Sequence, residues 1–248
     1  LYIDIVNCGV DAGFKQGKLQ ELNRELELVQ IKNDRIRTLL LKIIDEYDET
    51  GEVMEALHIL EILNTRNKIS GRDSNVSRDR FWSRAASMID NRDNPNKYLR
   101  RLAKERAPND TVLKERMISR EFKKNEFTKY ILDSIEENHY MKSGGRGKTI
   151  SDRSMVDIEH IAPSKAFSAK KYNSWQRYLD CDESEFEEYK KRIGNLTLLE
   201  DSPNRRAGDQ PFKEKRQIYK TETEFNMTEA IAKEYDEWGI AQIQERSK

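Results

Sequence analysis

The chain lacks the features that would place a protein in a membrane, in an oxidising compartment, or on a polyanion by bulk charge. It has only 2 cysteines, Cys8 and Cys181, far apart and in no CxxC pair. That excludes a disulfide framework and a zinc ribbon, and it fits a reducing, cytoplasmic setting. No apolar run approaches the length of a bilayer-spanning helix and no signal peptide is visible, so no membrane partner is expected. Net charge is also missing. Because 45 Lys and Arg offset 45 Asp and Glu, attraction to nucleic acid has to come from local patches.

What the chain does have is helical period and charge. Its 248 residues, 36% apolar and 36% charged, allow one large or two small domains with a helix-rich, thin core. Leu1 in place of Met points to a fragment of a longer chain. Residues 1–17 are ambiguous and read as the tail of a preceding element. From Lys18, Leu19, Leu22, Leu26 and Val29 recur at helical steps, continued by Ile36, Leu39, Leu40, Ile43, Ile44 and Tyr47. Gly51 ends that run. Val53, Met54, Leu57, Leu60 and Leu63 mark another helix, and residues 64–78 read as a polar loop. Helices follow at 77–90, at 95–106 with Pro95 in its first turn, at 110–122 and at 126–138. Their stripes, such as Phe81, Ala85 and Met88, or Tyr130, Ile131 and Ile135, are core positions of an irregular bundle. His58 and His139 read as packed or surface histidines.

Between Asn96 and Lys124 there are 10 Lys or Arg against 4 Asp or Glu. This stretch reads equally as a phosphate-tracking face or as an ordinary solvated helix surface. The run Ser143-Gly-Gly-Arg-Gly-Lys148 lacks the spacing of a phosphate-binding loop and reads as a hinge. The expected organisation is therefore a helical domain at 1–142, a glycine-rich hinge at 143–150 and a second domain at 151–248. In that second domain, 171–179 and 184–193 look helical, with Ser184 and Glu187 at capping-box spacing. The acidic cluster Asp182, Glu183, Glu185, Glu187 and Glu188 reads as a helix N-terminus that favours negative charge. A last helix at 227–246, capped by Asn226, presents Ile231, Tyr235 and Trp238 and seals the domain.

The chemistry-bearing stretch runs from Met155 to Pro211. It reads M-V-D-I-E-H-I-A-P, a polar helical insert, then I-G-N-L-T-L-L-E-D-S-P-N-R-R-A-G-D-Q-P. A carboxylate directly before a histidine, on a short apolar segment stopped by Pro163, joins two asparagines, Asn195 and Asn204, flanking a second apolar segment. Phosphodiester hydrolysis needs a group that takes a proton from water and a divalent cation that neutralises charge on the phosphoryl and leaving oxygens. Imidazole titrates near neutrality. Mg²⁺ or Mn²⁺ prefers oxygen ligands and keeps several waters, so one carboxylate and one amide from the protein suffice. If 156–161 is extended, Glu159 and His160 leave opposite faces of the strand, and the two meet at one centre only where the strand twists or ends. Leu196 to Leu199 reads as a second strand, and Asn204 lies where a short helix could begin.

These residues resemble the HNH, or His-Me finger, nucleases, whose ββα-metal motif carries a general-base histidine on its first strand and a metal ligand on its helix. The match is to the C-terminal nuclease domain of GmrSD-type modification-dependent restriction enzymes and related phage-defence proteins. There the pattern runs E-H-I-x-P, G-N-L-x-L-L, N-x-x-x-G and P-F-x-x-K. Here it falls on Glu159 to Pro163, Gly194 to Leu199, Asn204 to Gly208 and Pro211 to Lys215. Asp157 to His160 also echoes the opening of the HNH domain of RNA-guided CRISPR effector nucleases. The resemblance implies His160 as general base, Asn195 as the brace of the loop orienting it, and Glu159, Asn204 and Asp157 as ligands of one Mg²⁺ or Mn²⁺ per active site. Glu159 stands where many HNH enzymes place Asp. Lys215 takes the position of the family's lysine, a phosphate contact, and Arg205, Arg206, Lys213 and Arg216 supply a basic flank for DNA.

The expected fold is thus mainly α, a helical bundle followed by a small ββα-metal (HNH) finger with additional helices. The expected function is that of a metal-dependent DNA endonuclease, a nicking enzyme, of a bacterial restriction or anti-phage defence system. Further partners implied by the resemblance are an N-terminal NTP-binding sensor domain or partner subunit outside these residues, with a homo-oligomer left open. Two alternatives stand beside it: a catalytically inactive nucleic-acid-binding domain of the same fold, and a helical protein-interaction scaffold.

Overall fold

A computed structural model describes residues 23, 26–27, 36–47, 50–72, 79–89, 94–141, 155–168 and 173–248. Of the sequence expectations, the ambiguous segment 1–17 with Cys8, most of the helical run from Lys18 to Val29, and the glycine-rich hinge at 143–150 lie outside the described residues. The chain forms two compact units, Leu1–Arg116 and Met117–Lys248. Among the described residues the elements are twelve α-helices, a π-helical and a 3-10 turn, and one two-stranded sheet, which is the mainly α architecture expected.

In the first unit, α1 (Arg37–Glu46), α2 (Thr50–Ile69), α3 (Asp79–Ile89) and α4 (Pro95–Arg106) surround a single apolar cluster. α5 (Asp110–Ser119) crosses the division. Leu39, Leu40, Ile43 and Ile44 face inward from α1, Val53, Ala56, Leu57, Leu60 and Leu63 from α2, and Trp82, Ala85 and Ile89 from α3. Each stripe repeats at three and four residues, and each buried Leu or Ile contributes roughly 1.5–3 kcal/mol of burial. α4 begins where the sequence places it, because Asn94 accepts a hydrogen bond from the Lys97 amide at 2.9 Å and Pro95 fixes the first turn. Two boundaries differ from expectation. The break between α1 and α2 is at Tyr47, which is extended, and Gly51 lies inside the first turn of α2. The expected loop at 64–78 starts as helix as far as Ile69, because Ile69 is buried and Asn67 bonds back to the Leu63 carbonyl at 2.9 Å.

The second unit opens with α6 (Glu126–Ile135) and a π-helical turn (Glu136–Met141), then β1 (Val156–His160). α7 (Asn173–Leu179), α8 (Glu183–Tyr189) and a 3-10 turn (Ile193–Asn195) lead to β2 (Leu196–Glu200). α9 (Asp201–Ala207), α10 (Phe212–Thr221), α11 (Asn226–Glu234) and α12 (Ile240–Arg246) complete it. β1 and β2 are antiparallel, with Glu159 opposite Thr197 and His160 opposite Leu196. α9 follows β2 directly and packs back on both strands, giving a β–β–α unit, while α6 packs on the strands as well. α6, expected in the helical half, is therefore part of the sheet-bearing unit.

Capping chemistry explains two further differences. α8 starts two residues earlier than the Ser184 capping box implies, because Asp182 accepts from the Glu185 amide at 2.8 Å. The expected single helix at 227–246 is two helices. Tyr235 is extended at the end of α11, and Trp238 turns inward to donate its indole N–H to Asn195 Oδ1 at 3.2 Å. Asn226 is the first residue of α11 and not its cap. The Glu136 carboxylate instead accepts from the amides of Asn226 at 2.9 Å and Met227 at 2.8 Å, closing the positive helix start. Among the described residues no helix is long and apolar enough to cross a membrane.

Candidate active site

The end of β1 carries the carboxylate and the imidazole on opposite faces, as alternation along a strand requires. Glu159 points into the unit and is only 5% exposed. Its Oε1 accepts from Lys215 Nζ at 2.6 Å and from the Tyr219 hydroxyl at 2.8 Å, both from α10. Lys215 is 0% exposed and donates a second hydrogen bond to the His160 carbonyl at 2.9 Å. Burial pulls the Lys215 ammonium below its ordinary pKa, opposed by the Glu159 charge, and it pushes the Tyr219 hydroxyl well up. Lys215 thus stands inside the fold, where a phosphate contact was expected, because Phe212, Lys215 and Tyr219 share one buried stripe of α10. That three- and four-residue spacing was the signal in the sequence that could have found both Lys215 as an internal partner and Tyr219 as a member of the site.

His160 is half-buried, and its pKa is pushed down to about 4. Burial is the main cause, followed by the charges of Lys124, Lys215 and Lys190, with Asp157 opposing them. At neutral pH its ring is uncharged, with a lone pair able to accept a proton. Lys124 also reaches Asp157 Oδ2 at 2.6 Å, so Asp157 has a lysine partner of its own. Lys124 and Lys190, at the edge of this site, were not singled out from the sequence. Only tertiary folding brings residues 124, 160 and 190 together.

After His160 the chain turns sharply, and the turn is held by Asn195. Its Oδ1 accepts from the Ala162 amide at 2.9 Å, and its Nδ2 donates to the Ala162 carbonyl at 3.0 Å and the Lys190 carbonyl at 2.9 Å. The Asn195 carbonyl accepts from the Ile161 amide at 3.0 Å. One side chain therefore satisfies both backbone groups of the second residue beyond the imidazole. Gly194 permits that turn to lie against α12. A Cβ there would sit 2.1 Å from the Ile243 carbonyl oxygen and 2.4 Å from Ser247 Oγ, the atom that accepts from the Gly194 amide at 3.1 Å.

Asn204 lies in the middle of α9, the helix that packs on both strands. Its side chain is half-buried and makes no hydrogen bond among the described residues. Gly208 ends that helix at φ 33°, donating its amide to the Asn204 carbonyl at 2.9 Å. Among the expected basic residues, Arg205 and Lys213 are exposed without an ion pair among the described residues. Arg206 pairs with Glu222, and Arg216 is tied to the Ala232 carbonyl at 2.8 Å and to Asp236 at 2.9 Å. No three His, Cys, Asp or Glu side chains among the described residues converge into a ready metal cage.

Residues 107–248, more than half of the chain, match the family described as GmrSD restriction endonucleases, C-terminal domain. The chain belongs to this GmrSD family. No curated protein matches it. Membership places the chain among restriction-type endonucleases, a nuclease class that acts on DNA. The matched residues contain the whole β–β–α unit, so the strands, Asn195, Asn204 and α10 all lie within the GmrSD domain.

Proposed function

We propose that the second unit is a metal-dependent DNA endonuclease of the HNH type, with His160 as general base. The observation that carries this reading is the neutral, half-buried imidazole at the end of β1, followed by a turn that Asn195 fixes through both backbone groups of Ala162. A proton acceptor of this kind has to be uncharged before reaction and held in one orientation. A phosphodiester bound beside Lys124 and Lys190 would offset the positive charges that depress the imidazole, raising its basicity toward the working pH. Arg205 and Lys213, exposed on α9 and α10, would track neighbouring phosphates.

The donor set suits Mg²⁺ or Mn²⁺. Glu159 has its two hydrogen bonds on Oε1, which leaves Oε2 for a cation, and the Asn204 amide makes no hydrogen bond among the described residues on a helix packed against β1. An ion that retains most of its waters needs no larger protein cage. Glu159 and Asn204 would hold it, with Asp157, paired to Lys124, in support. When bound, it supplies positive charge for the phosphoryl and leaving oxygens. His160 takes the proton of the attacking water, and Asn195 keeps the turn that orients it. One such site cuts one strand, so nicking is the expected product, and a double-strand break would take two chains.

The test is supercoiled plasmid incubated with wild-type protein and with His160→Ala in Mg²⁺, Mn²⁺ or EDTA. Metal-dependent nicking by the wild type alone supports the proposal. Tight binding without cleavage by the wild type would point instead to an inactive nucleic-acid-binding domain, and equal cleavage by both proteins would remove His160 from the reaction.

A further inference from the structure

Lys215 and Tyr219 stand one turn apart on α10 and end on the same atom. Nζ at 2.6 Å and the hydroxyl at 2.8 Å both donate to Glu159 Oε1, and no hydrogen bond reaches Oε2 among the described residues. A second hydrogen of the same ammonium goes to the His160 carbonyl at 2.9 Å. One buried lysine therefore joins the side chain of residue 159 to the main chain of residue 160, whose side chains leave the strand on opposite faces.

We propose that Lys215 and Tyr219 are positioning residues: they grip Glu159 by one oxygen so that the other is presented to a divalent cation, and they lock that carboxylate to the strand end bearing His160. This rests on the reading of Glu159 as a metal ligand. A buried ion pair gains little over an apolar pair of similar size as a stabilising device, whereas two donors on one carboxylate oxygen leave the carboxylate a single orientation. Partners of this kind behind a ligand set its direction and basicity, and losing them typically costs 10–100-fold in metal affinity. A phosphate contact would need an exposed ammonium, and Lys215 has no exposed surface.

The experiment is Mn²⁺ titration of the DNA-free protein, followed by calorimetry or by electron paramagnetic resonance, on wild type, Glu159→Gln, Tyr219→Phe, Lys215→Arg and Lys215→Met. Metal-free DNA affinity and circular dichroism are measured alongside. Expected are a loss of Mn²⁺ affinity of about 10-fold in Tyr219→Phe and about 10–100-fold in Lys215→Met, partial recovery in Lys215→Arg, and unchanged metal-free DNA binding. Should Lys215→Met fail to fold, Tyr219→Phe decides alone, because it removes one hydroxyl and keeps the ring. Wild-type Mn²⁺ affinity in folded Tyr219→Phe and Lys215→Met, with binding lost in Glu159→Gln, would overturn the positioning role and leave the metal reading standing. Lowered DNA affinity with normal Mn²⁺ affinity in Lys215→Met would overturn it in favour of a phosphate contact. Equal Mn²⁺ binding by wild type and Glu159→Gln would remove the metal reading and this proposal together.

Discussion

The two units use buried surface differently. Among the described residues the first unit buries almost only apolar side chains, with Asn67, Ser70 and Asn96 as its polar exceptions. The second buries Glu136, Glu159, Lys215, Asn195, Thr197 and Thr228 among its aromatic residues. Each of these has partners. Thr197 and Thr228 share a hydroxyl contact at 2.6 Å, Glu136 closes α11, and Lys215 answers Glu159. Buried polar networks are poor sources of stability and good sources of fixed orientation. The contrast teaches that the first unit is built to persist and the second to hold particular atoms in place, so substitutions in the two should fail in different ways.

The largest expected effect lies in the second unit and spares its stability. His160→Ala should lower plasmid cleavage by about 10²–10⁴-fold, equivalent to roughly 3–5 kcal/mol of barrier, while the thermal midpoint stays close to wild type. Leu60→Ala should do the reverse. Emptying a fully buried position of the α2 stripe should cost about 2–5 kcal/mol in chemical denaturation, with cleavage per folded molecule unchanged. Asn195→Ala falls between the two, since it strands the Ala162 amide and carbonyl. We expect about 1–3 kcal/mol of destabilisation together with a fall in kcat, and a variant that loses stability at full kcat would break the comparison.

The smallest effect is on acid stability of the metal-free protein. His160 titrates near 4 when folded and near 6.5 when unfolded, so between these values the unfolded chain binds more protons. The contribution is present above about pH 6.5 and is lost as pH falls toward 4. Wild type in EDTA should lose more stability than His160→Gln over that window, measured by denaturant titration at several pH values.

The same contrast decides what was legible in the sequence. Apolar stripes at helical spacing gave the helices of the first unit, and Pro95 fixed α4 to the residue, because those elements depend on local period and capping. The short strands and the E-H-I-x-P and G-N-L elements were equally readable, whereas the place of Asn195 in the site was an expectation carried by the resemblance. Partners drawn from distant parts of the chain were not. Glu136 replacing Asn226 as the cap of α11, Trp238 breaking the last helix to reach Asn195, and Lys124 arriving at Asp157 are contacts that no local spacing encodes. Lys215 is intermediate: its inward direction was written in the Phe212, Lys215, Tyr219 spacing, but lysine is so commonly a surface residue that charge outweighed period.

The most direct measurement is an anomalous difference map from crystals soaked in Mn²⁺. The account predicts a peak in contact with Glu159 Oε2 and the Asn204 side-chain oxygen, with Lys215 and Tyr219 still on Oε1. A peak bound elsewhere, or a Glu159 carboxylate closed on both oxygens by protein donors while Mn²⁺ supports cleavage, would contradict it.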